Sequence, residues 1–345
     1  MKGNAKLIKE LHDEINKLKR EQQAQSIKND TNIGMIIADI IEARDEGNML
    51  KLKTASQLLV ENISIDRTAD PNPDLLTGLV DYSTQIREYL LPNDFGMDMT
   101  VRAGTVFLVG AGVGVGKSSW LANYLYDCIE TGKRCVLFSL EMTSYDFWIK
   151  LFQIYLYKKT NLRFDYMTML ATIKNKRFDE LLHTYIARAS ERAWIVDAAK
   201  FTASDIIGYM ELARNKWNGE EPQFTFIDYA QLIRPEQYTI GKDKRHQVDE
   251  SMKLITGKAV SSGSVIMIAS QLSRMAQNEN FESTTAFKES SALEEDSAVA
   301  ILLKREKGET GEYQPWINVS VVKNRYGKIM KQQIFLIPEI GYLYK

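Results

Sequence analysis

Residues 105–120 read TVFLVGAGVGVGKSSW, and this stretch decides the architecture. An apolar run ending at Gly110 leads directly into Ala111, Gly112, Val113, Gly114, Val115, Gly116, Lys117, Ser118 and Ser119. That is the spacing of a phosphate-binding loop with Ala in its first position. Gly112, Gly114 and Gly116 permit a tight turn whose N–H groups surround phosphates, and the positive end of the following helix adds to the attraction. Lys117 is spaced to reach the β- and γ-phosphates, and the Ser118 hydroxyl to ligate Mg²⁺. Strand, glycine turn and helix in that order predict an α/β nucleotide-binding fold with ATP and Mg²⁺ as ligands.

Outward from the loop, short apolar runs alternate with helical stretches: CVLFSLE at 135–141, WIVD at 194–197, FTFIDYA at 224–230 and SVIMIASQ at 264–271. Such alternation predicts a mostly parallel sheet covered by helices. Beyond residue 298 the strands follow closely, VAILLKRE at 299–306, WINVSVVKNR at 316–325 and KQQIFLIP at 331–338, and predict an antiparallel meander that finishes the sheet.

Ahead of this core, residues 1–63 read as a charged helical region. Ile8, Leu11, Ile15 and Leu18 fall on one face, Ile33, Ile36, Ile37, Ile40 and Ile41 form a second stripe, and Leu50 to Ile63 a third segment. Residues 64–76, with Pro71 and Pro73 among aspartates, lack periodicity and read as a linker. The expected division is therefore 1–63, 64–76 and 77–345.

Composition narrows the class. Lys and Arg total 44 against 45 Asp and Glu, so nucleic-acid contact needs a local basic surface. Two cysteines, Cys128 and Cys135, make no disulfide framework and fall short of a four-cysteine zinc site, which fits a reducing, cytoplasmic setting. No apolar stretch approaches the roughly 20 residues of a membrane span. His12, His183 and His246 have no partners at metal spacing.

Three further run ends carry chemistry. FTFI closes on Asp228, an apolar strand delivering a carboxylate suited to position Mg²⁺ beside Ser118; an Asp turning a strand end is the plainer reading. No Glu follows it, so the base must come from elsewhere, and Glu141 after CVLFSL is the candidate to orient the attacking water, against a surface Glu at a helix start. Gln271 can both donate to and accept from a γ-phosphate, or simply close a strand. In VSVVKNRYGK, Lys323 and Arg325 stand two apart and share a strand face, either as working cations or as a solvated edge pair.

FSLEM at 138–142, IDYAQLI at 227–233, ASQLSR at 269–274 and KESSALEEDSAVAILLKRE at 288–306 resemble, in order and spacing, the successive signatures of DnaB-type replicative helicases. The likeness spans residues 77–345, opening with Thr77-Gly78-Leu79. It implies a RecA-like core and a ring, usually a homo-hexamer, with ATP held between subunits and single-stranded DNA in the centre, travelling 5′ to 3′. In that family the positions of Lys323 and Arg325 match cations reaching the neighbour's γ-phosphate. Lys288, Glu289 and Ser291 match the DNA-backbone loop, although members often carry Arg and Gly at the first and last of these. Lys242, Lys244 and Arg245 form a second basic cluster that could face the same channel. Members generally carry a larger helical collar that recruits primase; residues 1–76 are shorter, which points to a phage or mobile element and leaves primase or a helicase loader as an open partner, with one helix in 33–63 as a possible linker helix. Two other readings stand beside this one. KNRYG also resembles a motif of RadA-type recombination ATPases, and a DNA-binding regulatory ATPase ring would share the core.

Overall fold

The computed structural model describes residues 87–90, 99–272, 291–309 and 311–345. The three N-terminal segments, the linker and Thr77-Gly78-Leu79 lie outside the described residues. Those described belong to the second of two units into which the chain divides, Gln85–Lys345.

Within it, β1 (Glu88–Leu90) pairs antiparallel with β2 (Thr100–Arg102), a small sheet that composition does not announce. The core strands are β3 (Val106–Ala111), β4 (Cys135–Ser139), β5 (Ala193–Asp197), β6 (Phe224–Asp228), β7 (Val265–Gln271), β8 (Val299–Lys304), β9 (Trp316–Asn324), β10 (Lys331–Ile337) and β11 (Tyr342–Tyr344). Among the described residues they form one sheet in the order β11-β10-β9-β8-β3-β7-β6-β4-β5. From β8 through β5 every pairing is parallel, and β8 to β11 is the expected meander, joined to the parallel part because β8 runs with β3.

Helices α1 (Lys117–Glu130), α2 (Ser144–Thr160), α3 (Tyr166–Lys174), α4 (Asp179–Ser190), α5 (Ala203–Lys216), α6 (Lys244–Ser262) and α7 (Ser291–Asp296) complete the unit. The helical stretch between β4 and β5 divides into α2, α3 and α4. Asn161 ends α2 in a left-handed conformation, and Asp165 caps α3 by accepting from the Thr168 N–H.

Strands covered on both faces must be apolar throughout, and successive residues enter opposite layers. Phe107 and Val109 enter the layer of Trp120, Leu121 and Phe152, whereas Val106 and Leu108 face Ile206, Met210 and Ile255. Phe226 and Ile227 divide the same way. Cys128 and Cys135 are buried free thiols in the first layer.

One buried amide fastens the far edge to the loop helix. Asn123 on α1 donates through Nδ2 to the carbonyls of Ser119 (2.7 Å) and Gly341 (2.8 Å), and its Oδ1 accepts from the Leu343 N–H (3.1 Å). Replacing it with Ala leaves the Gly341 carbonyl and Leu343 N–H buried without partners, so Asn123→Ala is expected to cost about 2–4 kcal/mol in urea unfolding, with an unchanged m-value.

Candidate nucleotide site

The glycine turn takes the form its sequence demands. Gly114 and Gly116 adopt φ of 73° and 120°, a region L side chains rarely enter, and α1 begins immediately at Lys117. Lys117 Nζ donates to the carbonyls of Ala111 (3.3 Å) and Gly112 (3.1 Å), which folds the ammonium over the turn. A residue from the β8–β9 connection reaches the same place: the Tyr313 hydroxyl donates to the Val113 carbonyl (3.3 Å), with Arg305 and Lys307 against its ring.

Parallel pairing then lines up the other run ends. Ala111 is level with Gln271, and Asp228 with Ser139, so the loop, Gln271, Asp228 and the turn bearing Glu141 occupy one carboxyl edge in the order β3, β7, β6, β4. The Glu141 turn is tied down on several sides. The Leu140 N–H donates to the Asp228 carbonyl (2.9 Å), and Ser139 Oγ to the Met142 carbonyl (2.6 Å). Thr143 and Asp146 form a capping box at the start of α2. Asp197 at the end of β5 accepts from the Ser144 N–H (2.5 Å) and hydroxyl (2.9 Å). Glu141 itself is exposed, free to meet solvent or a ligand.

Asp228 is 1% exposed, and its carboxylate oxygens carry no hydrogen bond of normal geometry, although Ser118 faces them. Burial pushes its carboxyl above the usual range; Ser118, Lys117 and Lys150 oppose the rise, and Glu141 adds to it. Burial likewise pulls Lys117 and Lys150 down, with Asp228 opposing in both cases. An orphaned buried carboxylate beside a serine hydroxyl fits an octahedral Mg²⁺, which takes few protein ligands and completes its shell from phosphate and water. Among the described residues no cluster of His, Cys, Asp and Glu would hold a different ion.

Comparison with known proteins decides the family. Residues 97–342 match the model of the DnaB-like helicase C-terminal domain. The chain belongs to that family. A solved DnaB-like replicative helicase, described with its interactions with primase, superposes with a TM-score of 0.69 at 18% identity over 94% of this chain and 77% of that one. A second solved structure, described as an ATPase domain, gives 0.57 at 20% identity over 70% of this chain and 84% of that one. These likenesses support the RecA-like α/β fold. No curated protein sequence matches the chain.

In this DnaB-like domain the cation pair lies far from the loop of its own chain. Arg325 falls just past β9, yet Arg325 Nη2 (2.8 Å) and Lys323 Nζ (3.2 Å) both donate to the Glu295 carbonyl at the end of α7, so the expected shared direction holds. Because β9 is antiparallel to β8, Asn324 pairs with Val299, which is level with Phe107 near the start of β3. Lys323 and Arg325 therefore sit at the edge opposite the glycine turn, on the order of 15–20 Å away at ~3.3 Å per strand residue.

Of the basic cluster, Lys242, Lys244 and Arg245 are exposed at the start of α6, with Lys242 Nζ 2.8 Å from His246 Nε2. Lys242 and Lys244 line a cavity of about 330 Å³ with Gln231, Pro235, Gln247 and Ser251. Lys288 and Glu289 lie outside the described residues; Ser291 opens α7, and its side chain does too. Sequence reasoning missed Lys150, Tyr313 and Gln231, which meet Asp228, Val113 and Gln271 respectively, each remote in the chain.

The raised carboxyl of Asp228 has a measurable consequence. A folded-state acidity weaker than the unfolded one makes ionisation cost stability above about pH 4. Asp228→Asn is thus expected to raise the melting temperature at pH 7–8 in the presence of a chelator. The gain should shrink toward pH 4, as followed by scanning calorimetry.

Proposed function

We propose that this chain is an ATP-hydrolysing replicative DNA helicase that assembles as a ring, a homo-hexamer, and moves 5′ to 3′ along single-stranded DNA to part the duplex in the cytoplasm. The observation that carries the reading is the separation of Lys323 and Arg325 from the glycine turn of the same chain. A cation pair held at the opposite sheet edge serves a phosphate only when a second copy brings it there.

In this reading the N–H groups of Gly112 to Ser119 and the ammonium of Lys117 hold the triphosphate. Ser118 and Asp228 would hold Mg²⁺, which when bound neutralises charge on the phosphate oxygens. Glu141 orients the attacking water and takes its proton, and Gln271 senses the γ-phosphate. Arg325, with Lys323, stabilises the neighbour's departing phosphate, which makes hydrolysis depend on the neighbour's position. Lys242, Lys244 and Arg245, and the Lys288, Glu289 and Ser291 loop, contact the DNA backbone and not its bases, because a translocating motor cannot depend on sequence. A primase, as with the solved relative, or a helicase loader is the expected protein partner.

Mixing variants tests the shared site directly. Lys117→Ala and Arg325→Ala chains should each lose hydrolysis by about 10³-fold, while an equimolar mixture regains a clear fraction because some interfaces then join an intact turn to an intact finger. No recovery, with mixed rings shown by native mass spectrometry, would sink the trans arrangement. Glu141→Gln should cut kcat by roughly 10²-fold or more and spare nucleotide binding. Wild-type protein should unwind a fork with a 5′ tail, and intact ATP turnover with no strand separation would overturn the helicase assignment.

A further inference from the structure

Gln231 stands on the short 3-10 turn Ala230–Leu232, three residues beyond Asp228. Its amide grips the backbone of another run end. Oε1 accepts from the Gln271 N–H (3.1 Å), while Nε2 donates to the Gln271 carbonyl (3.1 Å) and to Ser270 Oγ (2.9 Å). The ladder between β6 and β7 stops at the Ile227 and Ile268 pair, so this side chain stands in for the backbone partner that β7 lacks further on. On its other side β7 stays paired to β3 as far as Ala111, and the Leu272 N–H donates to the Ala111 carbonyl (3.1 Å). The backbone of Gln271 is thus held between the residue that opens the glycine turn and the amide of Gln231.

Gln231 has a second neighbourhood. It lines the 330 Å³ cavity whose wall includes Lys242, Lys244 and Gln247. Gln231 therefore borders a cavity lined by lysines while its amide grips the strand end beside the loop. An amide is the group able to do this, because it offers an acceptor and a donor side by side, matched to the N–H and carbonyl of a single residue.

We propose that Gln231 is a positioning residue that fixes the backbone from which Gln271 is aimed, and that it carries displacement of the Lys242–Gln247 wall to that backbone. The inference rests on the reading of Gln271 as the γ-phosphate sensor. A glutamine that merely satisfied a strand end would lower stability when replaced but leave the kinetic pattern alone.

Steady-state hydrolysis by the full chain separates these outcomes, with and without oligothymidylate, for wild type, Gln231→Leu, Gln271→Leu and the double variant. The expected result is a kcat about ten- to a hundred-fold lower for Gln231→Leu, with KM within about two-fold. The double variant should be no slower than Gln271→Leu alone, since residues acting through one another are not additive. Oligothymidylate should accelerate wild type and not Gln231→Leu, and Gln231→Glu, which keeps the acceptor, should fall between them. Losses that multiply, or equal acceleration of wild type and variant, overturn the proposal. Amide hydrogen exchange at Gln271 decides the clamp independently of turnover: exchange should quicken in Gln231→Leu, and unchanged protection refutes it. A wild type that hydrolyses no ATP would instead defeat the nucleotide reading while leaving the exchange result standing.

Discussion

The parallel pairing of β3, β7, β6 and β4 is the constraint on which the candidate site depends. Parallel strands deliver all their carboxyl ends to one side, so polar residues far apart in the chain become neighbours without any of them having to pack together. These four strands are buried on both faces almost to their tips; the edge is where charge can be presented. Asp228 shows the tension in this arrangement. It must lie deep enough to be held and still remain a carboxylate, which burial opposes and Lys117 and Lys150 favour.

Side-chain amides recur as fasteners at the places where the backbone ladder gives out. Asn123 binds the last strand to the loop helix, and Gln231 extends β7 beyond its pairing with β6. Each satisfies backbone groups that no neighbouring strand reaches, and each lies close to the phosphate-binding turn. These amides hold backbone groups that the ladder leaves over, and a strand end paired on one side only would otherwise fray.

Much of this could be read from residues alone. The glycine turn, the run ends at Asp228, Glu141 and Gln271, and the closing meander follow from local spacing and periodicity, and the structure brings the run ends together at one edge. What local patterns do not carry is strand order, and everything that depends on it stayed hidden. Gln231 is legible only as a polar residue after a strand until β7 is known to lie beside β6. Tyr313 meets the glycine turn, and Lys150 meets Asp228, only through the tertiary fold. Lys323 and Arg325 were visible as a pair, but their placement at the opposite edge follows from the antiparallel turn into β9.

The ionic make-up around the glycine turn has an implication of its own. Lys117 faces Asp228 and Glu141, and Lys150 faces Asp228 and Asp146, so the two ammonium groups are already matched by carboxylates. A triphosphate with one divalent ion still brings excess negative charge, and low-dielectric surroundings magnify any imbalance. Arg305 and Lys307 gather around the ring of Tyr313, whose hydroxyl reaches the glycine turn. A nucleotide entering here arrives underneutralised, and that shortfall is itself an attraction for whatever positively charged surface can close over it.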